Sequence, residues 1–90
     1  MYEIVRALRN TGGRTEIESF LKAVLTQSEL KEMETRLEIM TMLLQNFTQR
    51  EIAKHLKVGL TTVSRGAEVV RQLEEKKPRW WKDFKSWGKR

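Results

Sequence analysis

Cysteine is absent from this 90-residue chain, and histidine and proline occur once each. Each shortage excludes something. Without cysteine there is neither a disulfide nor a thiolate metal site, which fits a reducing compartment such as the cytoplasm. One histidine, His55, cannot build a multi-histidine metal centre within one chain. No stretch approaches the roughly 20 apolar residues of a membrane span. The N-terminus carries Glu3 and Arg6 in place of a long apolar run, so no signal peptide is expected and a cytoplasmic location is. No nucleophile stands beside a base, and there is no evident carboxylate pair or phosphate-binding loop, so the chain does not read as an enzyme. A chain this short forms one domain with a small core and often needs a partner to bury enough surface.

What the chain has is charge, unevenly placed. Residues 1–75 hold 11 basic and 11 acidic side chains, whereas residues 76–90 hold seven basic ones against Asp83 alone. The net charge of +6 therefore sits in the last segment. Such a segment is attracted to phosphate or to anionic lipid.

The most informative stretch is residues 47–66. Thr48 followed by Glu51 forms a capping box that opens a helix. Ile52, Ala53 and Leu56 give that short helix one apolar side. Lys57, Val58 and Gly59 break it, and Gly59 is the residue expected to take a positive φ there. A second helix opens at about Leu60. Val63, Ala67, Val70 and Leu73 form its apolar face, with Thr61, Thr62, Ser64 and Arg65 on the other. Small Ala53 lets the two helices approach closely. The unit reads as a helix-turn-helix, whose second helix enters the DNA major groove by its polar N-terminal end.

The remaining segments are helical as well. Ile4, Val5 and Leu8 mark a first helix, ended before Gly12 and Gly13. Ile17, Phe20, Leu21 and Val24 stripe a second, and either Thr26 or Ser28 caps a third that runs to about residue 45. In the third, Leu30, Met33, Leu37, Met40 and Leu44 alternate steps of three and four, a seam suited to pairing with another helix. Ile39, Met42 and Leu43 widen it, which points to burial from two directions and to a dimer core. Pro78 starts a last helix with Trp80, Trp81, Phe84 and Trp87 on one face and lysines on the other. We read this helix as docked on a partner subunit; a membrane-surface helix is the alternative. The expectation is an all-α fold of about six helices in one domain. Residues 1–46 would serve dimerisation, 47–75 the helix-turn-helix, and 76–90 the basic tail.

The combination of Thr26, Thr35-Arg36, Thr48-Gln49-Arg50-Glu51 and Thr62-Val63-Ser64-Arg65-Gly66 at these separations resembles the bacterial trp repressor family. The likeness is good over about residues 25–66 and elsewhere holds only in helix order. It implies an intertwined homodimer that binds operator DNA as a transcriptional repressor, with L-tryptophan as corepressor and no metal. By resemblance, the indole lies between Arg36 and Arg65, with Gly66 leaving room beside it. Ala23, Leu25 and Thr26 of the other subunit receive the ammonium group. Gln49, Arg50, Lys54, Leu60, Thr61, Thr62 and Ser64 match the DNA-contacting positions, and Arg50 is the residue expected to read a guanine edge. Three departures stand out. Val69 replaces a small hydroxyl residue near the ligand, Lys57 stands where a turn glycine is common, and the tryptophan-rich basic tail is not a family feature. Two other readings remain open at this point: a constitutive DNA-binding protein with no or a different ligand, and an interaction or membrane-surface module led by the C-terminal helix.

Overall fold

A computed structural model describes residues 1–87, the side chain of Trp87 excepted. It contains six helices and, among the described residues, no strand: α1 (Tyr2–Arg9), α2 (Arg14–Val24), α3 (Gln27–Leu44), α4 (Gln49–Leu56), α5 (Leu60–Lys76) and α6 (Arg79–Trp87). The residues group into two compact units, 1–33 and 34–90.

In the first unit the helices are amphipathic but uncovered. Neither α1 nor α2 buries any residue, and Ile4, Val5, Leu8, Ile17 and Val24 are all exposed. The start of α3 settles which residue caps it. Thr26 Oγ1 accepts the Glu29 N–H at 3.1 Å, and Glu29 returns a carboxylate oxygen to the Thr26 N–H at 2.8 Å. The cap is therefore Thr26 and not Ser28, because only Thr26 stands three residues before a glutamate that can answer it.

The second unit is built around Ile39 of α3, Ile52 of α4 and Val63 of α5, all fully buried, with Met42, Leu43, Ala53, Leu56 and Val58 packed round them. Burying each of these three aliphatic side chains is worth about 1.5–3 kcal/mol. Gly66 brings α5 close to α3: a Cβ added there would lie 2.6 Å from Cγ2 of Ile39. None of the five seam residues of α3 is buried. Leu37, for example, remains 48% exposed, so the helix spends only its Ile39 side within the chain.

The turns close in a common way. Asn46, Lys57 and Lys77, at the ends of α3, α4 and α5, all take the left-handed conformation. At the first two, Phe47 N–H bonds to the Met42 carbonyl and Val58 N–H to the Ala53 carbonyl, each at 3.1 Å. This corrects the turn expected from sequence. Gly59 is extended (φ −72°, ψ 153°) and begins α5, while Lys57 carries the positive φ of 58°. The hairpin thus contains a glycine but places it two residues past the position that needs one.

The aromatic tail is also corrected. Trp81 and Phe84 are buried within their own chain, their rings stacked with centroids 5.5 Å apart. Lys85 ties α6 to Glu74 of α5 at 3.3 Å and lies over the Trp81 ring, so these two rings are not free to dock on a partner or enter a membrane. Trp80 stays 53% exposed, and the Trp87 ring, Lys89 and Arg90 lie outside the described residues. No helix among the described residues is long and apolar enough to cross a membrane.

Two substitutions test these packing arguments by thermal and denaturant unfolding at equal protomer concentration. Gly66→Ala overpacks against a buried isoleucine and should destabilise the chain by about 1–3 kcal/mol. Lys57→Gly relieves a left-handed non-glycine residue and should stabilise it by about 1 kcal/mol.

Candidate nucleic-acid interface

The α4–α5 hairpin presents a polar face because both its helices turn their apolar sides toward α3. Thr48 caps α4 with both halves of the expected box: its Oγ1 accepts the Glu51 N–H at 3.1 Å, and its own N–H donates to the Glu51 carboxylate at 2.8 Å. These bonds, the backbone one first, hold the Glu51 carboxyl below its ordinary range. With the α4 start fixed, Gln49 and Arg50 occupy its first turn and are exposed. Leu60, Thr61, Thr62 and Ser64 form the exposed start of α5, and Val63 between them points into the core. Ser64 Oγ donates to Gln49 Oε1 at 2.8 Å and joins the two helix starts. Nothing in the sequence signals this bond, since its partners stand on different helices; the only hint is that both lie on polar faces.

The charge of this hairpin is one-sided. Residues 47–66 carry Arg50, Lys54, Lys57 and Arg65 against Glu51, whose carboxylate is occupied by the cap. None of the four cations makes an ion pair with a described residue. Arg71, two turns further along α5, is by contrast bound to both Glu68 and Glu75, and Lys85 to Glu74. Cations without internal partners are available to an anion; those already in pairs are not.

The residues expected to hold a small ligand are placed as follows. Arg36 on α3 and Arg65 on α5 are both exposed, and Arg36 too has no ion pair among the described residues. Gly66, beside Arg65, faces Ile39, so its missing side chain serves helix packing within the chain. Val69, one turn beyond Arg65 on α5, is 44% exposed. Ala23 lies in the last turn of α2, followed by Leu25 in extended backbone (φ −116°, ψ 145°). A helix end of this kind carries carbonyls without helical partners and favours a cation. An open groove of about 520 Å³ runs elsewhere, lined by Met42, Phe47, Glu51, Lys54 and His55. Among the described residues no group of histidine, aspartate or glutamate is arranged to hold a metal ion.

The comparison with known proteins decides the family. The sequence profile described as "Trp repressor protein" matches residues 1–84. The chain belongs to the Trp repressor family. That family is regulatory and not enzymatic. A protein named Trp operon repressor homolog from Xylella fastidiosa (strain 9a5c) is 34% identical over 65 residues, 71% of each chain. One of the same name from Actinobacillus succinogenes is 29% identical over 86 residues, covering 94% of this chain and 78% of its own. Another, from Haemophilus influenzae (strain ATCC 51907 / DSM 11121 / KW20 / Rd), is 30% identical over 66 residues, 72% of this chain and 65% of its own. No solved structure gives a significant match.

The cap offers a pH test. A carboxyl whose folded pKa is depressed contributes stability above its unfolded pKa and loses it as pH falls through the folded value. Relative to Glu51→Gln, which keeps a capping group that does not titrate, the native chain should hold a constant unfolding midpoint difference at neutral pH. That difference should shift against the native chain as pH falls below 4.5, the ordinary value for this carboxyl. Thermal unfolding of both chains across this range checks it.

Proposed function

We propose that this chain is a transcriptional repressor of a trp operon that binds operator DNA as a homodimer, with L-tryptophan as corepressor, in the cytoplasm. The observation that carries the DNA-binding part is the exposed polar start of α5 in a hairpin with four cations that have no ion-pair partner among the described residues. The family match over residues 1–84 and the names of the relatives support the repressor role.

The residues then take roles that follow from their chemistry. Arg50 reads a guanine edge through its two-pronged guanidinium, and Lys54 neutralises phosphate. Leu60, Thr61, Thr62 and Ser64 enter or border the groove, with Gln49 beside them. Two-fold symmetry sets the half-sites one helical turn apart, roughly 34–36 Å, a geometry known for helix-turn-helix dimers, the trp repressor among them. The uncovered apolar stripes of α1 and α2 and the unburied seam of α3 supply the surface that an intertwined partner would cover.

For the ligand, Arg36 and Arg65 would sandwich the indole, because planar guanidinium groups stack on aromatic faces. Arg65 can also pair with the carboxylate. Ala23, Leu25 and Thr26 of the partner subunit would receive the ammonium group at the carbonyl end of α2. Bound ligand would set the angle of the hairpin and so the spacing of the two α5 helices. Val69 makes the ammonium end of this pocket less polar than a hydroxyl residue would.

Calorimetric titration of L-tryptophan into the purified protein tests the corepressor, with D-tryptophan and L-phenylalanine as controls. Saturable binding of one L-tryptophan per subunit, lost in Arg65→Ala, is expected. No heat at millimolar ligand would exclude tryptophan and leave a DNA-binding protein with another ligand or none.

A further inference from the structure

Gln49 and Ser64 both fall among the proposed DNA-contacting positions, yet they also contact each other. They stand 15 residues apart, at the start of α4 and in the first turns of α5, and Ser64 Oγ donates to Gln49 Oε1 at 2.8 Å. A glutamine amide has one acceptor oxygen, with two lone pairs, and two N–H donors. Its side chain reads adenine by using both ends at once, donating to N7 and accepting from N6. Ser64 takes one lone pair of Oε1 and turns that end of the amide toward α5, while both N–H donors stay available to an outside partner.

We propose that Ser64 is a positioning residue: it holds the Gln49 amide by its oxygen so that Gln49 presents its N–H donors to DNA. This rests on the DNA-binding reading above. The partner is then an acceptor: a purine N7, a guanine O6 or a phosphate oxygen. The same bond orders a long exposed side chain before DNA arrives, which lowers the entropic cost of the contact. It also links the first turns of the two hairpin helices, so the donor is held at a fixed place relative to Thr61 and Thr62.

The test is selection from a random-sequence DNA duplex library, with and without L-tryptophan. The full chain is compared with Ser64→Ala, Ser64→Thr, Gln49→Ala and the Ser64→Ala/Gln49→Ala double variant, followed by affinities for the recovered duplex. Loss of Gln49 identifies what it touches. A base pair whose preference disappears in Gln49→Ala marks a base contact; a uniform loss over all sequences marks phosphate. Under the proposal, the affinity or base preference that depends on Gln49 also depends on Ser64. Ser64→Ala weakens binding about three- to ten-fold, the size of one neutral hydrogen bond. Ser64→Thr retains the hydroxyl and restores both affinity and preference. In the Gln49→Ala background, Ser64→Ala changes affinity less than about two-fold, because the residue it positions is gone.

A Gln49-dependent preference that Ser64→Ala leaves at full strength would overturn the proposal. So would an equal loss from Ser64→Ala with and without Gln49, which would make Ser64 an independent contact. If the native chain binds no duplex at all, the DNA-binding reading fails and takes this inference with it. Binding by the native chain with no effect of Ser64→Ala removes this inference alone.

Discussion

The hairpin depends on one contact, the packing of Ile39 of α3 in one cluster with Ile52 and Val63, with Gly66 drawn up against it. Ile39 is the only fully buried residue of α3 among those described, and it touches the point where α5 has no side chain to hold it off. Interiors pack at crystal-like density, so an added methyl at Gly66 has nowhere to go unless a buried isoleucine moves. The consequence reaches the surface directly. With the apolar sides of α4 and α5 fixed on Ile39, helical periodicity leaves Gln49, Arg50, Thr61, Thr62 and Ser64 on the opposite, solvent-facing side. The interface is the reverse side of the core.

Charge placement reinforces this division. Along α5 the cation near the polar start, Arg65, has no internal partner among the described residues, while Arg71 further on is held by two carboxylates. Beyond it, Lys76, Lys77, Arg79 and Lys82 add a second positive zone at the far end of α5, a helix about 25 Å long for its 17 residues, and on α6. Burial of Trp81 and Phe84 makes the tail a part of the folded chain, and of the lysines on α6 only Lys85 is tied to a carboxylate among the described residues.

The elements were legible in the sequence where their causes are local. The Thr48–Glu51 box, the end of α3 near residue 45, the start of α6 at Pro78 and the apolar face of α5 each depend on residues within one or two turns, and all stand where periodicity and capping chemistry put them. What depended on distant contacts was not legible. Gly59 attracted the positive φ because glycine tolerates it best, yet the helix ended two residues earlier and left Lys57 to adopt it. The aromatic stripe of α6 announced burial but not against what. Gly66 matched a ligand-side position by resemblance, and only the packed structure shows Ile39 against it. The Ser64–Gln49 bond had no sequence signal, since spacing along one helix says nothing about a second helix.

Native-state hydrogen exchange, read residue by residue, measures the central dependence most directly. If Ile39 anchors the hairpin, the amides of α3 around Ile39, of α4 around Ile52 and of α5 around Val63 open as one cooperative unit. Ile39→Val should then accelerate exchange in all three by a common factor. Should α4 and α5 keep their protection while α3 alone loosens, the hairpin would be shown to hold itself together without that contact, and Ile39 would not be what positions its polar face.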